Sequence, residues 1–486
     1  MPHTTKTAAA TLLFAVLLTP APSQADSIGT GPSSSATPYV VPTSHGVKLE
    51  SILTVGDTAR NGYRMVGKPD GLGAFDNEDG TFTLLMDHEL PDDAGVVRSH
   101  GFAGAFVSRW VIDSETLEVR SGEDLIKRVL VPSAAGGWEP STVPLHSLCS
   151  ADLPGPGAFY DQETGVGTTA RLLLGGEENG QGRALAHVVD GPDAGSSYVL
   201  TSLGRADWEN QVTMPDTGAA TVVVGTDDQG GGQVYVYVGH KSATGNDVER
   251  AGLTGGRLYG VALDGVAAES DDTTLPEGGT PFRLVEIPGV SAMNRNELNR
   301  ASNALGVYRM ARPEDSAWDT AAPGSLYVAT TAAFTQISRL WHLTFTDPSD
   351  VTAGGTAEIA VAGPEYDAAR GDDQAGPRMM DNLTVDRKGR VLIQEDTGGE
   401  PYLSGIYEYD AETGGLARLA EHDPDRFLGG MPPFTDAEES SGIIPARFLG
   451  SHRFLLTSMA HYLTDDTETF QGGQLLLMKI PGGGVR

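Results

Sequence analysis

The chain has 486 residues, enough for one large domain or for two to three ordinary ones. Glycine (63 copies) and proline (29 copies) are abundant, which favours many short strands joined by tight turns over a helical protein. The formal net charge of −32 argues against electrostatic binding to nucleic acid or to an anionic membrane, because like charges repel. The same acidity suits an exported protein that attracts divalent cations.

The N-terminus has the pattern of a secretory signal peptide over residues 1–25. Lys6 supplies the positive charge, Ala8–Leu18 the apolar segment and Ser23-Gln24-Ala25 the small-residue cleavage site. We therefore expect a secreted, extracellular protein. No Arg-Arg pair occurs near the N-terminus, which favours the general secretory route.

The rest of the chain divides into a short lead-in and one long folded region. We expect residues 26–46, which are partly rich in Gly and Ser, to be a flexible lead-in. No linker clearly cuts residues 47–486, so we expect them to form a single domain.

From residue 47 onward, apolar β runs alternate with polar turns that contain Gly or Asp; examples are Thr81–Met86, Arg171–Leu174, Thr221–Val224 and Val234–Val238. No βαβ alternation is evident, which disfavours a parallel α/β sheet, and no repeat of 40–50 residues marks a regular array. The pattern predicts an all-β protein: a single irregular β-propeller of five to seven blades, with six preferred. It also predicts inserted loops and short helices, for example at Asn294–Asn303.

Carboxylates recur where these β runs end, at Asp87-His88-Glu89, Glu177-Glu178, Glu209, Asp227-Asp228, Asp381, Glu395-Asp396 and Glu438-Glu439. So many carboxylates without matching Lys or Arg are costly unless water or cations neutralise them. Calcium and ferric iron prefer oxygen donors, so the pattern predicts a metal site. Adjacent acids on a strand often point to opposite faces, and one member of a pair can be simply solvated.

Several other residues allow two interpretations. Cys149 is the only cysteine, so no internal disulfide can form, and it is either a buried small hydrophobe or a metal thiolate. His88 and His461 are either hydrogen-bonded residues or ligands. Arg312 and Arg339 are either anion binders or ion-pair partners. Four asparagines are either turn formers or ligands: Asn179, Asn210, Asn246 and Asn382.

Taken together, these residues resemble the PhoX family of secreted bacterial alkaline phosphatases. The motifs follow the family's order over roughly residues 50–480: Asp87-His88-Glu89, Cys149 before Glu177-Glu178-Asn179, Trp208-Glu209-Asn210, Thr226-Asp227-Asp228, Arg312-Pro313-Glu314, Met380-Asp381-Asn382-Leu383, Glu439-Ser440-Ser441-Gly442 and Ala460-His461. Two departures indicate a divergent branch. The segment between Cys149 and Glu177 is longer than usual, and Asp315 stands where a Trp is usual.

The resemblance implies a β-propeller with a mixed iron–calcium cluster on its axis that hydrolyses phosphate monoesters. It implies that Cys149 is the thiolate ligand of ferric iron and that Arg312 grips the substrate phosphate, with Glu178 and Asp381 also at the reaction centre. The implied metal ligands are Cys149, Glu177 or Glu178, Glu209, Asp227 or Asp228, Asp381, Glu439 and His461. A wider set of candidates adds His88, Glu89, Asn210, Asn382 and Glu395.

Two other functions remain open from the sequence. One is a calcium-dependent lactonase or esterase on the same architecture, and the other is a secreted propeller that binds calcium without catalysis. The expected partner is a small phosphorylated substrate, with no nucleic acid or membrane partner, and the expected state is a monomer.

Overall fold

The computed structural model describes residues 27–371, 373–430 and 433–483. The expected signal peptide lies outside these residues. Within them, no helix is both long enough and apolar enough to span a bilayer.

The described residues form six blades around an axis, built from five large β-sheets and two two-stranded ribbons. Three strands precede the first blade: β1 (Ile28–Thr30), β2 (Val40–Pro42) and β3 (Lys48–Thr54). Blade 1 consists of β4 (Pro69–Asp76), β5 (Thr81–His88), β6 (Phe106–Asp113) and β7 (Val119–Asp124). Blade 2 includes β8 (Arg128–Pro132), β9 (Trp138–Pro140), β10 (Leu148–Asp152), β13 (Leu172–Glu177), β14 (Ala184–Val188) and β15 (Ser196–Val199), with a small ribbon of β11 (Tyr160–Asp161) and β12 (Val166–Gly167) inserted.

Blades 3 and 4 join at their outer edges into one nine-stranded sheet. Blade 3 comprises β16 (Trp208–Thr213), β17 (Ala220–Asp227), β19 (Val234–His240), β20 (Arg257–Leu263) and β21 (Thr280–Glu286). Blade 4 comprises β23 (Pro313–Trp318), β24 (Ser325–Thr330), β25 (Arg339–Phe345) and β26 (Gly355–Ala362). A separate ribbon pairs β18 (Gly230–Gly232) with β22 (Met310–Ala311).

Blades 5 and 6 complete the ring. Blade 5 contains β27 (Met380–Val385), β28 (Arg390–Glu395), β29 (Gly405–Asp410) and β30 (Gly415–His422). Blade 6 contains β31 (Glu438–Pro445), β32 (Arg453–Leu463) and β33 (Gln471–Lys479). The α-helices are short: α1 (Asp247–Arg250), α2 (Arg295–Leu305) and α3 (Pro424–Phe427). Helix α2 confirms the helix expected near Asn294–Asn303, and Asn294 and Gly306 cap its two ends.

The innermost strands are β4, β10, β16, β23, β27 and β31. They pack side by side in that order, and β31 returns to contact β4. The protein is therefore a closed six-bladed β-propeller, as the sequence predicts. Close packing at the axis explains Gly71 in β4, because a Cβ there would lie 2.4 Å from the backbone nitrogen of Ala151 in β10.

The N-terminal segment corrects one expectation from the sequence. Residues 26–46 were expected to be a flexible lead-in, but within the described part β2 pairs with β30 of blade 5 and β1 pairs with β3, which belongs to blade 6. Strands from the N-terminus thus supply the outer edges of the last two blades. Backbone hydrogen bonding overrides the local Gly and Ser composition, because an open sheet edge offers unpaired donors and acceptors.

Among the described residues, the six largest hydrophobic clusters lie one at each interface between neighbouring blades. Two smaller clusters surround Phe427 and Phe106. The blade 2–blade 3 cluster includes Leu174 and Trp208, and the blade 3–blade 4 cluster includes Val224 and Trp341. The apolar face of each sheet is buried against the next sheet, which leaves the axis for polar side chains.

Candidate metal centre

The innermost strands place chemically similar side chains at equivalent positions. In blades 1 to 5 the register with the second strand slips just after the first residue pair, for example between Pro69 and Leu72 and between Leu148 and Ala151. In blade 6 the slip lies between Ser441 and Ile443. A β-bulge bends the strand and re-aims its side chains. The bulges therefore sit where the functional side chains begin.

The second residue of each innermost strand forms a deep tier around the axis. Its members are Asp70, Cys149, Glu209, Glu314, Asp381 and Glu439. Each is 9% exposed or less. Five carboxylates and one thiol are thus buried at one end of the ring.

A second, half-buried tier comes from the ends of the neighbouring strands. Directly after the second strand of blades 1, 2, 3 and 5 stand Glu89, Glu178, Asp228 and Asp396, and near the end of β32 in blade 6 stands His461. In blade 4 the corresponding residue is Thr331, whose neutral side chain breaks the acidic pattern.

Two cations complete the site, and they occupy matching positions. Lys68 and Arg312 each come immediately before an innermost strand and adopt left-handed backbone angles, with φ of 49° and 57°. Such backbone angles are uncommon for residues other than glycine and cluster at functional sites. Because these residues lead into blades 1 and 4 of a six-bladed ring, they approach the axis from opposite sides.

Together these groups line a cavity of about 340 Å³, which we call the acidic chamber. Its lining comprises nine carboxylates, Asp70, Glu89, Glu178, Glu209, Asp228, Glu314, Asp381, Asp396 and Glu439, together with Lys68, Cys149, Arg312, Gly398, Ala437 and His461. The carboxylates far outnumber the cations. This excess of buried negative charge demands either protonation or bound cations.

The pKa values of the chamber carboxylates reflect this crowding. Burial, followed by repulsion from neighbouring carboxylates, raises the pKa of Asp70, Glu209, Glu314 and Asp381 well above the usual range. The same two causes raise the pKa of Glu178 to about 7 and that of Asp396 to about 7. Burial and the charge of Glu178 also raise the pKa of the Cys149 thiol. The protein therefore holds these groups where only a cation would stabilise their ionised forms.

Direct contacts within the chamber organise the remaining groups. Arg312 binds Asp228 through two hydrogen bonds of 2.8 Å, from Nε and from Nη2, and its Nη2 lies 3.2 Å from Glu314. Lys68 Nζ lies 2.6 Å from Glu89. The Cys149 thiol donates to Glu178 over 3.3 Å. Burial lowers the pKa of His461, but the hydrogen bond and charge of Glu439, 3.2 Å away, raise it to about 9 overall.

The chamber unites most of the residues that the sequence singled out. It contains Cys149, Glu178, Glu209, Asp228, Arg312, Asp381, Glu439 and His461, and also Glu89 from the wider set. In the two adjacent pairs Glu177-Glu178 and Asp227-Asp228, only the second residue lines the chamber. The alternation of side chains along a strand explains this result.

The other members of those pairs have partners elsewhere. Glu177 forms a buried ion pair with Arg183 and accepts a hydrogen bond from the backbone nitrogen of His146. Asp227 accepts hydrogen bonds of 2.9 and 2.7 Å from the Gln229 amide. Both carboxylates therefore have protein partners outside the chamber lining.

Five further candidates also lie away from the chamber lining. His88 hydrogen-bonds the Ser108 hydroxyl over 2.8 Å and stacks on Phe106. Glu395 accepts a hydrogen bond of 2.8 Å from the backbone nitrogen of Gly405. The remaining three pair with protein groups: Arg339 with Glu269, Asn210 with Asp315, and Asn382 with Ser150. Asn246 caps helix α1, as its interpretation as a turn former implied.

Two chamber residues, Lys68 and Asp70, were not singled out from the sequence, and two more, Glu314 and Asp396, lie in motifs that the sequence singled out but were not assigned as ligands. Lys68 and Asp70 belong to a Lys-Pro-Asp-Gly segment that has the composition of a turn. What identifies these residues is their position, because each stands at the same place in its blade as a residue in another blade that the sequence singled out. That signal becomes visible only when the strand register is known.

Replacing Glu177 by Gln tests whether this residue is structural. The substitution leaves Arg183 buried without its ionic partner, so we expect a loss of about 3–5 kcal/mol in the free energy of unfolding, measured by denaturant titration. Glu286→Gln is the control, because the Glu286–Arg257 pair is exposed and contributes about 0–1 kcal/mol. Unchanged stability together with loss of bound metal would instead assign Glu177 to the metal centre.

The protein is an all-β propeller with an acidic chamber on its axis, and the buried charge of that chamber requires protonation or bound cations. A family model described as "Alkaline phosphatase PhoX" matches residues 192–427, which include Glu209, Asp228, Arg312, Glu314, Asp381 and Asp396. This match supports the PhoX-type family of phosphoric ester hydrolases that the sequence resemblance implies. No curated protein sequence matches the chain.

One solved structure supports the fold. The structure of Pseudomonas fluorescens PhoX in complex with vanadate, a transition-state analogue, is 14% identical, with a TM-score of 0.64, and the match covers 94% of this chain and 99% of that one. The Chaetomium thermophilum Sqt1 structure is 11% identical, with a TM-score of 0.38, and the match covers 89% of this chain and 98% of that one. The NanB sialidase from Streptococcus pneumoniae is 8% identical, with a TM-score of 0.37, and the match covers 85% of this chain and 69% of that one. The last two likenesses are too low to support an argument.

Proposed function

We propose that this chain is an exported, metal-dependent phosphatase that hydrolyses small phosphate monoesters in the acidic chamber. The observation that carries the proposal is the chamber itself: nine carboxylates and one thiol, with Lys68 and Arg312 on opposite sides. A phosphate dianion would be repelled from such a site unless metal ions reversed its charge.

The donor set fits metal ions. Asp70 Oδ1 is buried without a hydrogen-bond partner among the residues that the structure describes. Two groups have ligand atoms within 4.8 Å of one another: Asp70, Glu89 and Cys149 in one, and Glu209, Glu314 and Asp381 in the other. The first combines a thiol with carboxylates and suits iron, whereas the second offers only oxygen and suits calcium. When bound, such ions would neutralise the phosphate oxygens and align the phosphorus for attack.

The chain's own cations have distinct tasks in this proposal. Arg312 commits Nε and Nη2 to Asp228, which fixes the guanidinium plane and leaves Nη1 for a substrate oxygen. Lys68 faces the same space from the opposite blade and offers a second positive charge. In the metal-free chamber, the hydrogen bond and charge of Glu439 raise the pKa of His461 to about 9.

The size and charge of the site also define the partner. A cavity of about 340 Å³ suits a small phosphorylated molecule. The net charge of −32 repels nucleic acid, anionic membranes and other copies of the chain. We therefore propose that neither nucleic acid nor an anionic membrane is a partner and that the protein acts as a monomer.

A steady-state assay with an aryl phosphate tests the proposal. We expect turnover that inorganic phosphate inhibits competitively, because the product and the substrate share one anion site. A lactone or carboxylic ester assayed in parallel should show no turnover. Hydrolysis of the lactone without hydrolysis of the aryl phosphate would favour the lactonase alternative, and no hydrolysis of either would favour a non-catalytic calcium-binding propeller.

A further inference from the structure

Directly beneath the acidic chamber, a layer of polar side chains crosses the axis. These residues, which we call the polar floor, are the third residues of five innermost strands: Ser150, Asn210, Asp315, Asn382 and Ser440. Each is 5% exposed or less. In blade 1 the third residue is Gly71, which makes room for the neighbouring strand.

One chain of hydrogen bonds in the floor reaches the chamber. The Asn382 amide Nδ2 donates to the Ser150 hydroxyl, and this hydroxyl donates to Glu209 Oε1 over 2.8 Å. Asn382 belongs to blade 5 and Ser150 to blade 2, which face each other across the ring, so the contact spans the axis. Glu209 belongs to blade 3 and is one of the deep carboxylates.

The chemistry of these groups fixes the direction of the chain. An amide nitrogen can only donate, so the Ser150 hydroxyl must accept from Asn382, and its own proton is left for Glu209. A donated hydrogen bond favours the ionised carboxylate and prevents rotation about the last bond of the Glu209 side chain. Glu209 Oε2 then remains for the chamber.

We propose that Ser150, oriented by Asn382, is a positioning residue that holds the Glu209 carboxylate ready for a metal ion. The proposal rests on the proposed function only in assuming that the acidic chamber binds metal. Groups that hydrogen-bond to metal ligands usually change metal affinity by about 10- to 100-fold when they are removed.

The test is the substitution Ser150→Ala in the full-length protein. We expect the affinity for calcium, measured by competition with a chelator of known affinity, to fall about 10- to 100-fold. Ser440→Ala is the matched control, because Ser440 holds the equivalent position in blade 6 and its hydroxyl has no partner among the described residues. This control should leave calcium affinity unchanged.

A double-substitution cycle separates positioning from general packing. Once Glu209→Gln has removed the carboxylate, adding Ser150→Ala should lower calcium affinity little further, because Ser150 acts through Glu209. Asn382→Ala should also lower calcium affinity, but by less than Ser150→Ala does. Equal losses in the Ser150→Ala and Ser440→Ala proteins, or full additivity with Glu209→Gln, would overturn the proposal. Because the readout is metal affinity, it stays decisive even if phosphatase activity is absent.

Discussion

Stripping the protein of metal ions with a chelator is expected to abolish hydrolysis, with a loss of about 10³-fold or more. The physical reason is charge, because the nine carboxylates of the chamber then outnumber Lys68, Arg312 and His461 and repel an anionic substrate. Readdition of calcium and ferric iron should restore turnover. The measurement is the rate of aryl phosphate hydrolysis alongside metal content by mass spectrometry.

The metal-free protein should also depend on pH in a specific direction. The pKa values of Glu178 and Asp396 are raised to about 7, so the folded state binds more protons than the unfolded state between the ordinary carboxyl range and neutrality. The contribution of these two carboxyl groups to the free energy of unfolding is therefore fully present in acid, and it is lost as the pH rises through 7. We expect the Tm of the metal-free protein to rise as the pH is lowered from 8 to 6, while the metal-loaded protein shows little change. If the Tm of the metal-free protein instead fell as the pH was lowered from 8 to 6, burial and mutual repulsion could not be raising the pKa of the chamber carboxylates.

A Cys149→Ser variant shows which metal depends on the thiol. We expect it to lose iron and retain calcium, since the group formed by Glu209, Glu314 and Asp381 contains only oxygen donors. A variant that keeps both its iron and its activity would remove Cys149 from the metal centre.

Replacing Arg312 by Ala is expected to lower kcat/KM by about 10²- to 10³-fold, equivalent to about 3–4 kcal/mol of transition-state stabilisation. The substitution removes the guanidinium that faces the substrate and also leaves Asp228 without its two hydrogen bonds. Arg312→Lys should recover only part of the loss, because a lysine cannot reproduce the paired contact with Asp228. Steady-state kinetics at constant metal content measure both effects.

The control for Arg312 is Arg309→Ala, since Arg309 is exposed and lies three residues earlier in the chain. It should leave kcat/KM unchanged. An Arg312→Ala protein with normal kcat/KM and normal inhibition by phosphate would show that the anion is held by other groups, foremost Lys68.

Some features of the site were open to prediction from single segments of the chain. Acidic residues after apolar β runs, such as Glu178 after Leu172–Leu174, marked strand ends that carry charge. Arg312 and Cys149 were recognisable by residue type and by their place in an ordered set of motifs. Periodicity alone could not decide between Glu177 and Glu178, since the choice depends on which face of β13 points to the axis.

The sequence by itself determined the strand-rich class, the propeller and most of the acidic residues that line the chamber, because apolar periodicity and turn residues are local properties. Only the tertiary structure decided the register that brings Asp70, Glu314 and Asp396 into one ring and places Lys68 opposite Arg312. The same holds for the Asn382–Ser150–Glu209 chain, whose members are far apart in sequence and meet across the axis. The physical reason is that closing six blades into a ring sets long-range distances that no single segment encodes.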